Sequence, residues 1–192
     1  MIGATFGDRN RVRLFSWQGI PVFAHVSLPL GLLIVSRLSF APQAWLGFVV
    51  VVVAHELGHA FLLRRYRLPV LGIVLHMAGG ECHTTTNISS WERAIVAWGG
   101  IAAQLLLFCF MATLTTLGAW SQAFVDSTFY YTLTAMNLGL AGLNLLPIAP
   151  LDGREAWRLP WLCVLRLRLY WLGRKQARMR KKAARDHLRL LH

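Results

Sequence analysis

Residues 44–63 read AWLGFVVVVVAHELGHAFLL, an apolar run that carries three ionisable side chains, His55, Glu56 and His59, in its second half. Its length matches the ~20 apolar residues that a bilayer-spanning helix needs. Arg64, Arg65 and Arg67 then end it. Residues four apart share one helix face, so both imidazoles can reach a single metal ion. Glu56 flanks the same face and can take a proton from a water held there; this is the H-E-x-x-H arrangement. Two histidines satisfied by neighbouring helices are the alternative, but ionisable residues inside a span are costly and mark function.

Working outward, the composition agrees with a lipid solvent. Of 192 residues, 56% are hydrophobic and only 15% charged, with a mean hydropathy of +0.49. Soluble domains carry about 25% charged residues, and a chain this short cannot bury so much apolar surface in water. The net charge of +12 is clustered: Arg9, Arg11 and Arg13; Arg64, Arg65 and Arg67; and the run from Arg154 to Arg189. Clusters flanking apolar spans follow the positive-inside rule. Without a basic-aromatic motif they give no reason to invoke nucleic acid. Cys82, Cys109 and Cys163 show no paired spacing, hence no disulfide framework.

Four apolar stretches, near 25–40, 44–63, 95–120 and 129–146, predict an all-α polytopic membrane protein with about four transmembrane helices. Residues 68–85, LPVLGIVLHMAGGECHTT, read instead as short strands with a turn, placed between spans two and three. With four crossings, all three basic clusters lie in the cytoplasm together with both termini. Residues 1–158 form the membrane-embedded domain, and 159–192 a basic amphipathic tail suited to anionic lipid.

Catalytic zinc takes three protein ligands and keeps a fourth position open. Asp152 is the candidate third ligand, because Pro147 and Pro150 break the helix before it and broken backbone at membrane depth lines a protein- or water-filled cavity. An Asp before Gly-Arg-Glu is also an ordinary helix N-cap; the upstream H-E-x-x-H favours the ligand role. Glu155 is the nearby acidic alternative. His25, His76 and His83 read as interfacial or hydrogen-bonded side chains, and Glu81-Cys82-His83 fits no closed metal site.

HELGH at 55–59 followed by NLLPIAPLDG at 144–153 resembles the site-2 protease family of intramembrane zinc metalloproteases. Gly19-Ile20-Pro21-Val22 with His25, Gly79–Gly80 and Gly99–Gly100 add to the resemblance, which covers most of residues 19–157. Gly100 and Arg154 depart from the family pattern. The resemblance implies His55, His59 and Asp152 as ligands of one Zn2+, Glu56 as catalytic base, and Asn144 as a group on the scissile carbonyl. It also implies a single-span membrane protein as substrate and the plasma membrane of a prokaryote as the location. Two other classes are compatible with the residues: a membrane metalloprotease of another family cutting juxtamembrane peptides, and a non-enzymatic metal-binding scaffold.

Overall fold

The computed structural model describes residues 10–84 and 88–190, the last ten without side chains. Arg9 of the first basic cluster and Thr85 of the strand-like stretch lie outside the described residues, as do the side chains of the tail from Lys181 onward. The chain divides into two compact units, residues 1–156 and 157–192.

The first unit opens with strands β1 (Arg11–Trp17) and β2 (Ile20–His25), paired antiparallel. Their turn is Gln18-Gly19, both at positive φ (47° and 84°), the conformation that matches the twist of a two-residue hairpin. After α1 (Leu28–Val35) and α2 (Pro42–Arg65), strand β3 (Val70–His76) returns parallel to β2, and β4 (Gly79–Thr84) folds back on β3. The sheet order is β1-β2-β3-β4. Ile20, Val22, Ile73 and Leu75 form one core with Phe48, Val52 and Ala60 of α2. The sheet therefore packs on the helix that carries the two histidines.

Pro42 starts α2, where its missing N–H costs nothing. Arg67, at φ 58°, ends it: the Leu68 amide donates to the Leu63 carbonyl at 2.9 Å and the Arg67 amide to Arg64 at 2.8 Å. This closes the helix with a left-handed residue in the place usually taken by glycine. Helix α3 (Ser90–Thr116) begins in a capping box, with Ser89 Oγ accepting from the Glu92 amide at 3.2 Å and the Ser89 amide donating to the Glu92 carboxylate at 3.0 Å. The remaining pieces are α4 (Gln122–Val125), α5 (Thr128–Tyr131), a π-helical segment (Thr132–Met136), α6 (Asn137–Asn144) and α7 (Gly153–Ala156). Residues 157–192 contribute α8 (Arg158–Leu190), in which the Arg174 guanidinium lies 5.6 Å from the Tyr170 ring centre.

The all-α, four-span expectation is overturned. The fold is mixed, with a four-stranded sheet, and among the described residues only α2 and α3 are long and apolar enough to cross a bilayer. The first expected span, 25–40, begins at the end of a strand and holds only the eight-residue α1, about 12 Å of helix. Arg37 and Leu38, both at positive φ, follow it. The fourth, 129–146, is a helical run from Thr128 to Asn144 with a π-helical segment in its middle, shorter than the ~20 residues a span needs. Thr132 and Thr134 there donate their hydroxyls to the carbonyls of Thr128 and Tyr130, each at 2.8 Å, a pattern that bends helices. The argument that put Arg64–Arg67 on the same side as the tail depended on four crossings and falls with them.

Helices α2 and α3 meet backbone to backbone. A Cβ built on Gly99 would lie 2.6 Å from the Gly58 carbonyl oxygen and 2.8 Å from Leu62 Cδ1; one on Gly58 would collide with the Gly99 carbonyl. Small residues at such a crossing are what let membrane helices approach this closely. Gly99→Val should therefore cost about 1–3 kcal/mol through overpacking, read as a lower thermal midpoint of the purified protein in detergent. Unchanged melting would contradict the close contact.

Candidate metal centre

The approach of α3 to α2 puts main-chain and side-chain acceptors behind both histidines. His59 donates from Nδ1 to the Val96 carbonyl at 2.8 Å, and His55 donates from Nδ1 to the Gln104 side-chain oxygen at 2.9 Å. Both Nε2 atoms are left as acceptors on the opposite side of their rings. They stand 3.0 Å apart, with the rings nearly perpendicular at 86°.

Asp152 completes the cluster. Its Oδ2 lies 2.9 Å from His55 Nε2 and 3.2 Å from His59 Nε2. The three ligand atoms form a group that could hold a metal ion. Oδ2 is buried yet receives no hydrogen bond of normal geometry, an expensive state for an oxygen with nothing else to satisfy it. Donors about 2.0–2.2 Å from a tetrahedral zinc stand roughly 3.3–3.5 Å apart. The triangle matches that spacing to within about half an ångström. Gly100 forms the floor: a Cβ there would sit 2.5 Å from His55 Cε1 and 2.6 Å from His59 Nε2, inside the space between the imidazoles. The donor set, two imidazoles and a carboxylate, fits Zn2+.

Glu56 is buried at 3% exposure on the same helix. A Cβ on Gly80 of β4 would lie 2.6 Å from Glu56 Cγ, so the glycine makes room for the carboxylate under the hairpin. A cavity of about 530 Å³ runs past these groups, lined among others by Glu56, Gly80, Leu140, Asn144, Asp152 and Glu155. Asn144, half-buried at the end of α6, thus reaches the cavity wall. Glu155, the acidic alternative to Asp152, does too, but it is not part of the three-atom group. Cys82 packs beside Glu56, and burial, reinforced by that carboxylate, pushes its thiol up to about 12. It stays protonated at neutral pH and does not compete as a thiolate ligand.

The spare histidines are otherwise engaged. His25 Nδ1 pairs with the Ser27 hydroxyl at 2.8 Å in the turn after β2. His76 and His83 flank Glu81 at 3.6 and 3.4 Å on the β3–β4 hairpin. Gln104 and Asn137 escaped the sequence reading. Both are uncharged amides in apolar stretches, and the same cost of polar groups at membrane depth that singled out His55 applies to them.

No family model matches the chain. A protein named zinc metalloprotease from Methanocaldococcus jannaschii is 31% identical over 154 residues, 77% of this chain and 44% of its own length. A second relative, from Synechocystis, is 34% identical over 171 residues, 79% of this chain and again 44% of its own length. The chain thus spans less than half the length of these relatives. Its structure is similar to that of the site-2 protease from Methanocaldococcus jannaschii, with a TM-score of 0.63 and 27% identity, covering 77% of this chain and 70% of the other. Sequence and fold agree with the donor cluster and with the two apolar helices: the chain is similar in sequence to zinc metalloproteases and in structure to a site-2 protease.

Proposed function

We propose that the chain hydrolyses a peptide bond in or near a transmembrane segment of a single-span membrane protein, using zinc held by His55, His59 and Asp152. The observation that carries this reading is the convergence of three donor atoms beside a buried carboxylate, Glu56, on an apolar helix that opens on a cavity. Zinc at such a site supplies Lewis acidity, polarising a carbonyl and lowering the pKa of water to about 7.

The chain's own residues do the rest. Glu56 accepts the proton of the attacking water and returns it to the departing amide nitrogen. The Asn144 side-chain amide donates to the oxygen on which negative charge develops. A helical peptide hides its scissile bond, so the substrate must be extended at the cut. Strand β4 ends the sheet order and lines the cavity, which supports a role in pairing with such an extended segment.

We also propose a multi-pass arrangement in a prokaryotic plasma membrane with both termini cytoplasmic. An even number of crossings returns the chain to its starting side, where Arg11, Arg13 and the arginines of α8 satisfy the positive-inside rule. Against anionic headgroups each basic residue of α8 contributes about 1 kcal/mol; equal proteolytic protection of α8 in anionic and neutral liposomes would count against that contact.

Three measurements test the reading. Glu56→Gln, incubated with a single-span substrate in liposomes and analysed by mass, should keep zinc but lose cleavage by at least about 100-fold. Turnover near the wild-type rate would sink the base assignment. Asp152→Ala should lose both zinc and cleavage, whereas Glu155→Ala keeps zinc; full zinc in the Asp152 variant, with folding verified, would overturn the ligand set. Cysteines introduced at positions 3 and 190 should be labelled by an impermeant reagent from the same side, and opposite sides would exclude the orientation.

A further inference from the structure

His55 and His59 are not held in the same way. The partner of His59 Nδ1 is a main-chain carbonyl, Val96, whose position is set by α3 itself. The partner of His55 Nδ1 is a side chain, Gln104, 2% exposed and one turn beyond Gly100. An amide buried in such surroundings is costly unless its polar atoms are used. Behind it stands a second amide: Asn137, fully buried, donates from Nδ2 to the main-chain carbonyl of Gln104 at 2.9 Å and to that of Leu133 at 3.3 Å. Leu133 belongs to the π-helical segment, a kind of distortion that recurs at functional sites.

A neutral imidazole has one N–H and one lone pair. If Nδ1 carries the proton, Nε2 is free to bind a metal; if Nδ1 accepts instead, the proton sits on Nε2 and blocks it. A glutamine can enforce either state, depending on which end of its amide faces the ring. Here the oxygen faces Nδ1, so the imidazole must be the donor.

We propose that Gln104, with its main chain held by Asn137, is a positioning residue that selects the tautomer of His55 and so presents its Nε2 lone pair to the metal. This rests on the zinc reading above and goes beyond it, since neither amide belongs to the ligand set. The role matches the partners that metal-bound histidines need on their second nitrogen. It also explains why a polar side chain occupies this buried position of α3.

The test uses the full-length protein, purified in detergent and stripped of metal. Zinc affinity is measured against a competing chelator, and Co2+ binding by visible absorption. Gln104→Leu should bind zinc about 10–100-fold more weakly and shift the Co2+ bands, while Gln104→Glu, which keeps an acceptor oxygen, stays within a few-fold of wild type. Melting of the metal-free proteins checks folding; if the leucine variant fails to fold, Gln104→Met, matched in length but without the amide, carries the same comparison. Wild-type affinity in the leucine or methionine variant would overturn the positioning role and leave the zinc reading standing. An equal loss in the glutamate variant would assign the effect to packing and likewise overturn it. A wild-type protein that binds no zinc would overturn both.

Discussion

The contact between Gly58 of α2 and Gly99 of α3 is the constraint on which the site depends. Neither position has room for a Cβ, so the two backbones meet directly at this point. Closeness here is chemical as well as mechanical. It puts the Val96 carbonyl within 2.8 Å of His59 and the Gln104 side chain within 2.9 Å of His55. At a wider crossing, the same two histidines would lack partners for their second nitrogens, and their metal-facing atoms would be neither oriented nor restricted to one protonation state. Gly100, one residue on, leaves the pocket floor open. Consecutive glycines thus serve two neighbours: the first lets the helices touch, the second leaves space for an ion.

A second packing element brings in Asp152. The chain from Leu145 to Gly153 folds so tightly that a Cβ on Gly153 would strike the carbonyls of Leu145 and Leu146. Trp98 of α3 donates its indole N–H to the Ala156 carbonyl at 3.1 Å, and Ala97, Ile101 and Ala156 share a buried cluster. The third ligand therefore arrives on a short loop pressed against the same helix that orients the first two. The sheet closes the other side through Gly80 over Glu56. Helix α3 contacts both the histidine helix and the segment after Asp152 without supplying a donor to the cluster.

The sheet itself shows where one-dimensional reading fails. Residues 11–14 alternate basic and apolar side chains, and Gln18-Gly19 is a two-residue turn, so part of the signal for β1 and β2 was present. It was missed because the expected span, 25–40, joined the last residue of β2, a turn and the short α1 into one stretch, and residues 20–24 were left without an element. Periodicity cannot separate a buried strand from a buried helix, because both are apolar on every side. What makes residues 20–25 a strand is the partner strand β3, about fifty positions later, whose register Val22–Ile73 to Ala24–Leu75 lies outside any local window.

The donor cluster was legible in the chain before folding. Four-residue spacing on a helix forces His55 and His59 onto one face, and the expense of burying ionisable groups in an apolar run marks that face as functional. The sequence also nominated Asp152 through the prolines around it. Only the tertiary structure shows which apolar stretches form helices long enough to cross a bilayer, the four-stranded sheet, and the groups that hold the histidines in place. Gln104 and Asn137 carry no motif and no local pattern. Their roles depend on which helix lies opposite and at what distance, and here that distance is set by two glycines 41 positions apart that meet only in the folded chain.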